Sequence, residues 1–168
     1  MRAIFTFLLL LAGASAFAQA PNPFQPFHYL LGNWVAEGTS VEGSGYYSFQ
    51  EDLNQHILLR RNHADVPATA EHKAISHDDL MVVYEDKYQH AIKALFTDNE
   101  GHVIHYTATA SDDGKTITFL SAAAGPLPIF RLIYAFTDES NVNITFQIAQ
   151  ASKPDDFHTY IAGKAHKK

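Results

Sequence analysis

Apolar and polar residues alternate with a period of two along most of this chain. The clearest run is Val142, Ile144, Phe146 and Ile148, with Asn143, Thr145 and Gln147 between them. Phe130, Leu132, Tyr134 and Phe136 repeat it. Successive side chains of a strand point to opposite faces, so this pattern predicts strands with one buried face. About ten such strands can be counted. They lie near 34–41, 44–52, 56–64, 79–86, 89–97, 102–110, 115–121, 129–137, 142–150 and 157–165. Glu42-Gly43, Asp98-Asn99-Glu100-Gly101, Asp112-Asp113-Gly114 and Asp138-Glu139-Ser140-Asn141 fall between them. All suit hairpins, where Gly or Asn accepts a positive φ. The longest connection, Asp65 to His77, contains Pro67 and is a candidate rim loop. Even spacing without a helical period favours an all-β fold, an antiparallel up-and-down barrel, over a sandwich.

Two segments break the pattern. Residues 1–18 carry Arg2, an apolar run from Phe5 to Ala12 and a small-residue end at Ala16-Phe17-Ala18. That is the layout of a secretory signal peptide, with cleavage after Ala18, and the run is too short to span a bilayer. Residues 19–32 form a lead-in with Pro21, Pro23 and Pro26, then a short helical turn that Gly32 ends. Residues 33–168 are expected to form one barrel domain, periplasmic or secreted, with no membrane span after cleavage.

Charge and composition narrow the partners. The formal net charge is −6, and losing a leader that holds Arg2 and no acid makes the remainder more acidic. A nucleic-acid binder needs a basic face, and none is visible. Lys164, Lys167 and Lys168 read as a frayed, solvated end. The chain has no cysteine, so neither a disulfide nor a cysteine-linked lipid anchor is available.

The segment Leu30-Leu31-Gly32-Asn33-Trp34-Val35-Ala36-Glu37-Gly38 resembles the opening strand of calycin-like (lipocalin-like) barrels. The nearest likeness is to the nitrobindin-like branch and to a related set of exported bacterial proteins, with Ala36 where a glycine is common. The stretches Leu59 to Asp65, His77 to Tyr84 and Asp98 to Tyr106 extend the resemblance over nearly all of the chain after the leader. It implies a calycin barrel in which Gly32, Trp34 and Gly38 are structural. Trp34 would close one barrel end against a basic side chain from a late strand. It also implies a haem alternative, with His158 as the iron ligand or, failing that, His105.

The remaining candidates come from residue chemistry. Arg60 and Arg61 are strand neighbours, so one is expected inside and one outside. The inner one needs a carboxylate, from Glu37, Glu51 or Glu85 or from a ligand. Asp78-Asp79 reads as a solvated pair at a strand start. Ten histidines are present, without a zinc spacing, and His102 and His105 fall on opposite faces. No metal or other cofactor is therefore expected outside the haem alternative. No nucleophile elbow, P-loop or dinucleotide fingerprint appears. The expectation is a barrel that holds a small apolar or amphipathic molecule inside. Its anchors would be Arg61, His63 and His105, with His63 facing His105 across the barrel, and its walls Tyr84, Tyr106 and Tyr134. Two further alternatives are a barrel enzyme with His63 or His105 as acid/base, and a structural barrel with a filled core.

Overall fold

Ten antiparallel strands close into one barrel in chain order, the last pairing with the first. The structure is a computed structural model that describes residues 22–39, 44–70 and 73–168. The strands are β1 (Gly32–Ala36), β2 (Gly45–Asp52), β3 (Ile57–Val66), β4 (Ile75–Asp86), β5 (Ala91–Asp98), β6 (Val103–Ala110), β7 (Thr116–Ser121), β8 (Ile129–Phe136), β9 (Asn141–Ala149) and β10 (His158–Lys167). The expected signal peptide and the Glu42-Gly43 turn lie outside the described residues. Among the described residues no helix is long and apolar enough to cross a membrane.

One end of the barrel is plugged. A 3-10 helix, Gln25–Leu30, starts with a proline in its first turn and buries Phe27 and Leu30. Pro26 fits there because the first turn has no use for its missing N–H. Gly114, at the tip of the β6–β7 turn, has φ +69, and a Cβ there would stand 3.2 Å from the Pro26 carbonyl oxygen. The indole Nε1 of Trp34 donates to the Leu30 carbonyl at 2.9 Å, which ties β1 to the plug. Above it the inward side chains Trp34, Phe49, Leu58, Ile117, Phe119 and Tyr134 are fully buried. Tyr134 meets Phe49 and Phe119 edge-on at centroid distances of 5.8 and 6.1 Å, and Trp34 meets Phe136 tilted at 5.5 Å, the geometry aromatic quadrupoles favour. This half of the barrel is solid.

Three expectations change. β4 begins at Ile75, before Asp79, because Ile75 to Asp78 pair with Val66 to His63 of β3. The long connection shrinks accordingly. Lys164 and Lys167 belong to β10 and Lys168 follows it, so this end is not frayed. The Lys168 N–H donates to the Asn33 carbonyl at 2.8 Å, and Lys167 Nζ sits 5.2 Å from the centre of the Trp34 ring. β1 stops at Ala36, and it pairs with β10 only through Trp34, Val35 and Ala36. Among the described residues, the part of β10 that precedes Lys164 therefore has no strand on its β1 side.

Candidate functional site

The inward row of β3 is Leu58, Arg60 and Asn62, and that of β4 is Asp79, Met81 and Val83. Pairing of Arg60 with Met81 and of Asn62 with Asp79 brings these rows together. Arg60 is thus the inner arginine. It is 8% exposed, and its guanidinium makes an ion pair with Asp79, itself 8% exposed. The partner is Asp79 and not Glu37, Glu51 or Glu85, and Asp79 is not a solvated turn residue. Asn62 Nδ2 donates to the same carboxylate at 2.9 Å, and His77 Nε2 lies 3.3 Å from it. His77 Nδ1 reaches Glu100 at 3.1 Å, so a polar chain runs from mid-barrel to the rim.

Three phenols surround Arg60. The Tyr47 ring faces the guanidinium at 5.6 Å and contacts Tyr134 at 5.8 Å. Burial holds the Tyr47 and Tyr106 phenols protonated, well above their ordinary range, with the Tyr134 phenol adding to the shift and Arg60 opposing it. The Tyr134 phenol is raised for the same reason, burial first. Three polar atoms in this cluster are buried without a well-aligned hydrogen bond, Tyr47 Oη, Tyr134 Oη and Arg60 Nε, and the Arg60 guanidinium lies near enough to the Tyr134 hydroxyl to oppose the rise of its pKa. Natural cores satisfy most such groups, so three together leave this cluster with unmet hydrogen-bonding capacity.

Above the cluster the inward residues of β6, β8 and β9 stay apolar but are no longer sealed, while β3 and β4 carry the polar chain to the rim. Phe96, Ile104, Phe130, Ile144 and Phe146 pack on the core yet remain partly exposed. At the lip, Val66 and Ile75 pair with each other and are 43% and 48% exposed. Ile161 lies opposite Phe146 and is 58% exposed. Gly163 lies opposite the inward Ile144. Among the described residues nothing lies within 4 Å of the position its Cβ would take. Gly163 is exposed, on the stretch of β10 that has no described strand on its β1 side, so the barrel wall is open beside it.

The expected anchors divide between the two faces. Tyr106 and Tyr134 are inward and buried. Arg61, His63, His105 and Tyr84 alternate with inward residues and point outward, so they do not line the interior. His63 and His105 do not meet across it. Arg61 and His63 instead line a groove of about 960 Å³ on the outer face of β1 to β5. On each of these strands an inward residue also edges the groove: Trp34, Tyr47, Asn62, Asp79 and Asp98. His63 stacks on Tyr46 at 5.1 Å. Its Nδ1 is 2.8 Å from Asp78 and its Nε2 3.1 Å from Asp65. Both ring nitrogens are thereby taken by carboxylates, and none is left for acid–base work on a substrate.

The haem alternative meets a different obstacle. His105 is outward. His158 pairs with Ile148 at the lip, but its side chain is 77% exposed and its Nε2 is 3.7 Å from Asp156. The inward rings beneath it, Phe130 and Phe146, stack on each other at 5.9 Å. These residues do not fit a porphyrin. Among the described residues no group of three or more His, Asp or Glu is placed to hold a metal ion.

The residues missed from the sequence are Arg60, Asp79, Tyr47, Asn62 and Gly163. In Ile57 to Leu59 and in Leu80 to Val83, both faces are apolar, so alternation does not reveal which row is inside. The spacing of Leu58, Arg60 and Asn62 was the usable signal, since these three share a face whichever way it points. No family model matches this chain, and no curated protein matches it.

Proposed function

We propose that this barrel binds one small apolar or amphipathic molecule, its polar head at Arg60, Tyr47 and Tyr134 and its body in the apolar upper half. The observation that carries this reading is the juxtaposition of buried polar atoms without well-formed hydrogen bonds and partly exposed inward apolar side chains above them. Ligand sites are concave and apolar, with a few polar groups that fix orientation. The upper half supplies the apolar wall through Phe96, Ile104, Phe130 and Phe146, and the buried cluster supplies the polar floor. No catalytic role is proposed. The leader expected over 1–18 supports placing this binder outside the cytoplasm, and the calycin likeness agrees with a carrier.

The test is a titration with Nile red, an uncharged apolar dye that brightens on leaving water. The native protein should bind it saturably with one dye per chain. Gly163→Phe should fill the open space and abolish binding while leaving the circular dichroism and melting temperature close to native. Absence of binding, or equal binding by the variant, would overturn the reading.

A further inference from the structure

We infer that the head accepted at the floor of the barrel is an uncharged oxygen group, a hydroxyl or carbonyl, and not a carboxylate. This rests on the binding reading above and assigns the chemical class of its ligand. The reason is charge. The cation at the floor is Arg60, and Asp79 already answers it inside the barrel, with side-chain exposures of 9% and 3%. Asp79 is in turn committed, accepting from Asn62 and lying within reach of His77. A second carboxylate would set two anions against one guanidinium where solvent cannot screen them, and like charges in one site disfavour ionisation of both.

The polar atoms left without a well-aligned hydrogen bond have the opposite preference. Arg60 Nε–H donates only, whereas the Tyr47 and Tyr134 hydroxyls each donate and accept. A hydroxyl oxygen can take the Nε–H and one phenol while giving its own hydrogen to the other. A carbonyl oxygen takes two of the three donors through its lone pairs. Both phenols stay protonated throughout the physiological range, because burial raises their pKa values. The floor is therefore a neutral hydrogen-bonding socket under an apolar sleeve.

Displacement of bound Nile red by dodecan-1-ol and by dodecanoate, two chains of equal length, tests this at about pH 8, where the acid is fully ionised. Dodecanol should displace the dye at concentrations about tenfold lower. Tyr134→Phe leaves the Arg60–Asp79 pair intact and should weaken dodecanol severalfold with little effect on dodecanoate. Asp79→Asn frees the Arg60 charge and should reverse the preference toward dodecanoate. If that variant does not fold, Tyr134→Phe still decides. Equal or tighter dodecanoate binding by the native protein, or displacement of bound dye by neither compound, would overturn the assignment. Failure of Nile red itself to bind would instead overturn the binding reading, and this inference with it.

Discussion

Lys167 lies along the backbone of Gly32 to bring its ammonium over the indole of Trp34. Nζ is 5.2 Å from the ring centre, and a Cβ on Gly32 would stand 2.7 Å from Lys167 Cε. Gly32 also has φ +125, a region that L side chains rarely adopt. The glycine therefore serves two purposes, a backbone turn and a bed for the lysine stem. Gly32→Ala should lower stability by about 1–2 kcal/mol from backbone strain alone. Lys167→Met, which keeps the stem and removes the charge, should cost about 0.5–1 kcal/mol. Urea denaturation of the two variants checks the order.

The Arg60–Asp79 pair should behave as a unit. Asp79→Leu alone leaves a buried guanidinium uncompensated and should cost about 3–5 kcal/mol. Adding Arg60→Met should restore most of that loss, since a well-packed apolar pair often replaces a buried ion pair at no cost. A double-mutant cycle by denaturation, with a coupling energy near zero, would refute the coupling.

Tyr134→Phe should leave the stability of the ligand-free protein within about 1 kcal/mol of native, because the buried hydroxyl it deletes only approaches the Arg60 guanidinium and makes no well-aligned hydrogen bond. A thermal melt without added ligand is the measurement. A clear loss of stability would mean that the hydroxyl is hydrogen-bonded within the protein.

Stability should be greatest in mildly acidic solution. The His63 pKa is raised by hydrogen bonds to Asp78 and Asp65, and that of His102 by its hydrogen bond to Asp98 and by the nearby charges of Asp98 and Glu100. Histidines raised in this way stabilise fully below their unfolded value of 6.5, and the contribution fades as pH rises through the folded value. The Asp65 pKa is lowered chiefly by His63. Burial alone would raise that of Asp98, but the backbone N–H and ring of His102 outweigh it and lower the pKa. These carboxylates stabilise above 3.8 and lose that contribution as pH falls through the folded value. The optimum should therefore fall between 3.8 and 6.5. Melts across that range, with NMR titration of the two rings, check both the window and its cause.

The sequence revealed the barrel more fully than its contents. Where a strand has one wet face, as in Asn141 to Ala149, alternation identifies both the strand and its inner row. Where both faces are apolar, as in Ile57 to Leu59, the strand is visible but its phase is not. A one-residue error in phase exchanges Arg60 for Arg61 and moves the expected anchors to the outer wall. The Arg60–Asp79 contact joins residues on different strands, and its register follows from the whole β3–β4 ladder. Gly163 was not visible as a site residue because its contribution is space, and a glycine within a strand equally marks a bulge or a sharp bend.

The closure of β1 onto β10 also governs when the molecule can become whole. Residues Trp34 to Ala36 find their second neighbours only at Ala165 to Lys167, after every other strand has been laid down. Until the last strand is in place, β1 and β9 each present a bare row of amide and carbonyl groups, the kind of edge that recruits other chains. Contacts so distant in sequence also form slowly. The final strand thus acts as a latch, and a chain lacking it should be prone to aggregate even though its other strands and its plug are complete.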